Sequence, residues 1–510
     1  MVFTNPNKHS SFAAGALMLA LSGIVVKLIG VCYKIPLMRL IGAQGMGYFN
    51  TAYDVYALLC VISTTGLPVA VSVVINRHPA LHKRVFRLSL GIFALLGVTG
   101  MCGVFFAADR IAAWVGAPEA AQSLRFIAPA VLFICLSGAL RGYEQARRNM
   151  LPTAMSQVVE AAGKLLFGLV FAHLALRRDA TPAAAAAFAI LGLSVGTLLC
   201  LFYLTLCQKR QAELKVQSDN SAALVRELLK VAFPVTLGAL VAGLSKVIDL
   251  SLIMRRLQDG GMAQGSAVAM YGCYSSMVIP LFGAVPALFS ALALPLVPHL
   301  GHAINARDTD KQTQILQTAF RWGAVISVPA ALGMAMLSKQ ILQLLFSDTA
   351  ETAVAVPMLL IISAAIPASC MITVTSAVLQ AYGHPWQPMI ATAMGCLVKA
   401  ACIYLLCPNP GVGILAAPVS TLLCCLVTAA LNFAFVGRCT PAFVHARHWL
   451  LSLLAAALSV GVAALVCRCV TTLYWQVALG VAVAMLLYFG MAYLCGLVRI
   501  SDIKSLKSYE

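Results

Sequence analysis

Residues 183–207 read AAAAAFAILGLSVGTLLCLFYLTLC, a run without one charged side chain. A helix needs about 20 predominantly apolar residues to cross the hydrocarbon core, and this run supplies them. The same ruler moved along the chain finds fourteen candidate spans. They lie near 13–40, 48–75, 87–107, 121–141, 153–176, 183–207, 229–255, 267–299, 317–337, 353–380, 388–407, 411–436, 449–467 and 474–498. Composition agrees: the 510 residues are 61% hydrophobic and 10% charged, with a mean hydropathy of +0.91. Soluble domains are about 25% charged, so a water-soluble enzyme, a disordered protein and a fibrous repeat are excluded. The expected fold is all-α and polytopic.

The net charge is +18, from 35 Lys and Arg against 17 Asp and Glu. In a soluble protein that excess would suggest nucleic acid; here it concentrates between spans, so no nucleic-acid partner is expected. Arg77, Lys83, Arg84 and Arg87 form one group, Arg141, Arg147 and Arg148 a second, and Lys209, Arg210, Lys215, Arg226 and Lys230 a third. Basic loops stay in the cytoplasm. Residues 76–86, 208–227 and 437–447 are therefore expected inside, and 256–266 and 338–352 outside. Both termini are expected to be cytoplasmic, in a bacterial cytoplasmic membrane. The first span reads as a retained helix, not a signal peptide, because its apolar run is long and carries Lys27 and Lys34. The longest polar gap divides the chain into 1–207, a linker at 208–228, a second half at 229–436, and a final segment at 437–510.

No catalytic signature accompanies the spans. The phosphate loop, GxSxG, HExxH and dinucleotide fingerprints do not occur, so a transporter is expected and not an enzyme. The 17 Cys lie mostly within apolar runs and read as packing residues. His299 with His302, and His445 with His448, have H-x-x-H spacing but no acidic or Cys partners, so no metal site or cofactor is expected. The glycines of Gly42–Gly47 read as a tight turn between two spans.

The two halves repeat. Tyr53 and Tyr271, Tyr56 and Tyr274, and Pro68 and Pro286 are each offset by 218, and Lys27 and Lys246 by 219. An offset that carries six spans onto six implies parallel repeats, as in two-lobed alternating-access transporters.

A charge in mid-membrane costs about 2.5–3.5 kcal/mol on insertion scales and demands a reason. Lys34 follows Lys27 by two helical turns, on nearly the same face. Arg39 closes the span after Pro36. The seventh span carries Lys246, Asp249, Arg255 and Arg256, and Asp54 lies on the second. One reading is a water-filled cavity between two lobes whose cations receive an anionic head group, with the repeat tyrosines stacking on sugars. The other is local neutralisation, Lys246 by Asp249 and Lys27 or Lys34 by Asp54, with the tyrosines packing. Glu160 and Lys164, spaced i, i+4, are expected to neutralise each other. Arg125 and Lys399 are expected to snorkel or to be structural.

The segments Lys27-Leu-Ile-Gly30, Ile35-Pro36-Leu37, Ile41-Gly42-Ala43-Gln44-Gly45-x-Gly47-Tyr48 and Ala52-Tyr53-Asp54-x-Tyr56 form a recognisable series. With Ser63–Ser72, Tyr271-Gly272-x-Tyr274, Pro286-Ala287-Leu288 and Leu296-Val297-Pro298, it resembles one family of lipid flippases. These are the stage V sporulation protein B and MurJ-like members of the multidrug/oligosaccharidyl-lipid/polysaccharide exporter superfamily. The resemblance implies two six-helix lobes, two further helices and a central cationic cavity. It implies movement of undecaprenyl-pyrophosphate-linked oligosaccharide, such as the peptidoglycan precursor lipid II, to the outer leaflet. The implied substrate-binding residues are Lys27, Lys34, Arg39, Tyr53, Asp54, Tyr56, Lys246, Asp249, Arg255, Tyr271 and Tyr274. The implied partners are an anionic lipid-linked oligosaccharide, membrane lipids and a coupling cation, for a monomer. Lys27 and Arg39 fall where the family carries Arg. Tyr33 stands in place of a further MurJ-like Arg, with Lys34 adjacent, which favours the sporulation-protein branch. The alternatives are a cation-coupled multidrug exporter, which would need an acidic cavity, a polysaccharide-repeat-unit flippase, and a non-transporting scaffold.

Overall fold

Backbone N–H and C=O groups have no water to bond in hydrocarbon, and an apolar chain satisfies them locally by forming helices. The structure, a computed structural model, describes residues 7–208, 221–293, 296–347, 349–440, 446–470 and 472–497. Most of the 208–228 linker, His445 and the end of the C-terminal tail lie outside the described residues. The first eight helices are α1 Asn7–Val61, α2 Leu67–Arg77, α3 His82–Val115, α4 Ala121–Ala146, α5 Leu151–Leu176, α6 Pro182–Cys207, α7 Ser221–Asp259 and α8 Gln264–Cys273. Then come α9 Ile279–Ala293, α10 Leu296–Asn305, α11 Thr309–Met336, α12 Ser338–Phe346, α13 Ala350–Ser363, α14 Ile366–Ala381, α15 Trp386–Leu406, α16 Ala416–Cys439, α17 Ala446–Arg468 and α18 Leu473–Leu494. There is no strand among the described residues.

Ten helices among the described residues are long and apolar enough to cross a membrane, or thirteen if three bent pairs each count as one. One of those pairs runs from Leu21 to Arg77 and is bent by 42°. At about 1.5 Å per residue it is roughly 85 Å long, against a hydrocarbon thickness of about 30 Å. Gly42 divides it, with φ 68° and ψ 178°, a conformation open essentially to glycine alone. The sequence count of fourteen treats the arms on either side of Gly42 as separate spans. The break expected over Gly42–Gly47 falls at Gly42 alone, and helix resumes directly after it. α1 continues through Pro36.

The chain packs into two compact units, residues 1–258 with 262–272 and residues 259–261 with 273–510. This boundary differs from the linker at 208–228, because α7 and most of α8 pack with the first unit. Glycines provide the reason. A Cβ on Gly272 would lie 2.0 Å from the Ala43 carbonyl oxygen, and one on Gly47 would lie 2.3 Å from that of Val268. On α7, Ala232 and Thr236 close on Gly66, where a Cβ would meet the Thr236 hydroxyl at 2.0 Å. Small residues also join α5 to α6: Gly192 and Gly196 form a GxxxG face against Gly168 and Gly163. Thr181 starts α6 by accepting from the Ala184 N–H at 3.3 Å, with Pro182 at the first helical position. In the first unit α4 is buried on nearly every face.

Each half contains one five-residue π-helical segment, Ile62–Gly66 and Tyr274–Val278. Each stands two residues before a proline, Pro68 in one and Pro280 in the other. Proline has no N–H and its ring collides with the carbonyl four residues back, and a wider turn relieves both. These features are offset by 212, whereas the tyrosine pairs are offset by 218.

Candidate functional site

Within the first unit, α1, α5, α7 and α8 bring Lys34, Asp54, Lys164 and Lys246 to one neighbourhood. Tyr53 is its centre. Its ring stacks on Phe49 at 6.0 Å and 14°, Phe49 meets Tyr33 edge-on at 5.9 Å, and Tyr56 lies 6.4 Å beyond Tyr53. The order follows helical spacing: Phe49, Tyr53 and Tyr56 recur at four and three residues on one face of α1. The Lys164 Nζ sits over this ladder, 4.2 Å from the Tyr53 centroid and 5.4 Å from that of Tyr33. The Lys34 Nζ lies 6.0 Å from the Tyr53 centroid. Ammonium groups at such distances are attracted by the ring quadrupole.

The Asp54 carboxylate accepts a hydrogen bond from the Tyr271 hydroxyl at 2.7 Å, joining two sequence-predicted residues 217 positions apart. Lys34 and Lys246 both lie within Coulombic reach of Asp54, and Lys164 and Lys246 within reach of Lys34. Three lysines therefore share a neighbourhood with the Asp54 and Glu160 carboxylates. Lys246 is exposed, whereas Asp249 is buried.

Other predicted residues stand apart. Lys27 is exposed on α1 and has no ion-pair partner among the described residues. Arg39 and Arg255 are exposed, and Tyr56 is buried. Tyr274, in the second unit, is buried, with its hydroxyl 2.8 Å from that of Thr421; this geometry is that of a packing residue.

The largest departure concerns Glu160. It does not pair with Lys164: its Oε2 accepts from Arg141 Nη2 at 3.0 Å. Arg141, grouped with the basic loops in the sequence reading, is 6% exposed on α4. Its Nε also donates to the Ser156 hydroxyl at 2.9 Å, and Nη2 contacts the Cys200 Sγ at 3.1 Å. Lys399 does not snorkel and is 1% exposed, while Arg125 pairs with Asp109 at 2.5 Å. Sequence reasoning thus missed Lys164, Tyr33 and Phe49 as members of the cluster. The available signal was Tyr33 itself, an aromatic where the resemblance has an Arg, which requires that another residue supply the cation.

Residues 12–298 match the family model for polysaccharide biosynthesis proteins, and residues 261–405 match the MatE model. The chain is 24% identical over 457 residues to stage V sporulation protein B of Bacillus subtilis (strain 168), covering 87% of this chain and 86% of that protein. It is 22% identical over 417 residues to the lipid II flippase MurJ of the same organism, covering 76% of each. A solved structure of lipid II flippase MurJ, in an inward closed conformation, matches with a TM-score of 0.73 at 14% identity. That match covers 95% of this chain and all of the other. An inward-facing multidrug-resistance MATE transporter matches with a TM-score of 0.65 at 18% identity, covering 81% and 94%. At these identities the structural likenesses establish the fold.

Proposed function

The chain belongs to the polysaccharide biosynthesis protein family, and from that premise we propose that it is a flippase for a polyprenyl-diphosphate-linked oligosaccharide. The relatives of known name point to transport by a multi-span membrane protein, and stage V sporulation protein B and MurJ point to the lipid-linked class. The observation that carries the substrate class is the excess of cation around Tyr53: Lys34, Lys164, Lys246 and Arg141 against Asp54 and Glu160.

The physical task accounts for such a site. A polyprenyl tail stays in lipid throughout, and the obstacle is the hydrated diphosphate with its sugar. Lysines replace part of the water around the diphosphate, and as compact, strongly hydrated charges they permit release. The aromatic ladder offers faces to sugar rings. Lys27, Arg39 and Arg255 are proposed to meet the head group on its way across the membrane. A coupling cation would offset the cost of moving an anion outward against an inside-negative potential.

The MATE likeness favours a second reading, export of cationic drugs. That reading needs a net acidic site, which these lysines oppose. Complementation separates the two. The chain should restore growth to a bacterial strain depleted of its lipid flippase, and Lys34→Gln should abolish that rescue at normal membrane abundance. Rescue by neither, with increased resistance to cationic dyes, would favour the exporter.

A further inference from the structure

Glu160 and Lys164 occupy the favourable order for an intrahelical ion pair, the acid four residues before the base. They do not form one, and Lys164 lies over Tyr53 instead. The competitor is Arg141. Its guanidinium joins three residues on two helices: Glu160 and Ser156 on α5 and Cys200 on α6. The Ser156 hydroxyl in turn donates to the Thr153 carbonyl at 2.8 Å, and Cys200 contacts the Ser137 hydroxyl at 3.7 Å. A planar fork fixed at several points holds a carboxylate in a way that a flexible ammonium does not.

We propose that Arg141 is a positioning residue: by holding Glu160 it prevents that carboxylate from capturing Lys164, whose charge is left to Tyr53 and to the anionic ligand. The ligand half of this inference rests on the function proposed above; the positional half does not. Counting Lys34, Lys164, Lys246, Arg141, Asp54 and Glu160, the neighbourhood is net cationic. Loss of Arg141 alone removes one positive charge and also releases an acid beside Lys164. Loss of Arg141 together with the Glu160 charge leaves the three lysines as they were.

The test uses the purified full chain in detergent, with lysines reductively ¹³C-dimethylated, a change that keeps their charge. The Lys164 signal is assigned by its loss in Lys164→Arg and should be displaced by the Tyr53 ring current. Arg141→Gln should move it toward the position of a solvent-exposed lysine, and Arg141→Gln with Glu160→Gln should return it. A Lys164 signal unmoved in folded Arg141→Gln would overturn the inference. If Arg141→Gln does not fold, Arg141→Lys takes its place, since it keeps the charge without the fork. It should lose part of the displacement and regain it with Glu160→Gln; no change would overturn the inference.

Binding of farnesyl diphosphate, measured on the same samples, tests the ligand half. Arg141→Gln should weaken binding about tenfold, and the double variant should recover to within about threefold of the parent. A merely structural role for Arg141 would leave the double variant as weak as the single one, which would overturn the ligand half. No binding by the unsubstituted chain, with the lysine signal moving as expected, would overturn the proposed function and leave the positional half standing.

Discussion

Lys164 and Lys34 approach the same ring from two helices, α5 and α1. If both act on an anion, Lys164→Gln should impair complementation at least as strongly as Lys34→Gln, each at normal membrane abundance. Arg125→Gln is the control: its partner Asp109 is exposed, and an exposed pair contributes little, so activity should be retained. Tyr271→Phe removes the donor to Asp54 without changing shape. A hydrogen bond to a charged group contributes about 1.5–3 kcal/mol, so affinity for farnesyl diphosphate should change by about tenfold or more. The freed carboxylate would turn to Lys34 and Lys246, so the change should be a loss. At this scale the sequence was informative where a charge interrupts an apolar run, which is how Lys34, Asp54 and Lys246 were found. It was misleading on Arg141, which it grouped with the basic loops, and on Lys164. A local spacing advertises the Glu160 pair, whereas the competing guanidinium comes from 19 residues away.

Between helices, the decisive groups are glycines whose missing Cβ lets backbone meet backbone. Gly272→Ala would place a methyl 2.0 Å from the Ala43 carbonyl oxygen, and backbone cannot yield as a side-chain end can. Overpacking of this kind costs about 1–3 kcal/mol, and thermal unfolding of the purified chain should show it as a lower midpoint. Gly103→Ala on α3 meets nothing within 4 Å and should be neutral or mildly stabilising. Equal midpoints for the two variants would refute the crossing of α1 with α8. Span positions were legible here because about 20 apolar residues leave few alternatives. Gly42–Gly47 was not: glycines in a turn and glycines at a helix crossing read alike until the partner helix is known. The π-helical segments were also invisible, since proline announces a disturbance and does not specify its form.

For the molecule as a whole, loop charge predicts a definite orientation. Cysteines introduced one at a time into a cysteine-free background should react with a membrane-impermeant maleimide in intact cells at 256–266 and 338–352. Those at 76–86 and 437–447 should react only after lysis, and labelling at 76–86 in intact cells would invert the topology. The all-α, many-span character was readable from composition, because it is a property of long stretches. The grouping of α7 and most of α8 with the first unit was not, because it depends on which glycines face each other. The central claim is that this chain carries an anionic lipid-linked head group on a cluster of lysines. Its most direct test is leaflet-resolved: purified protein is reconstituted into vesicles containing fluorescent lipid II, and the fraction reached by an external quencher is followed with time. The chain should equilibrate the label between leaflets, and Lys34→Gln with Lys164→Gln and Lys246→Gln should not. Equal rates for the parent and the triple variant, both well folded, would contradict the account.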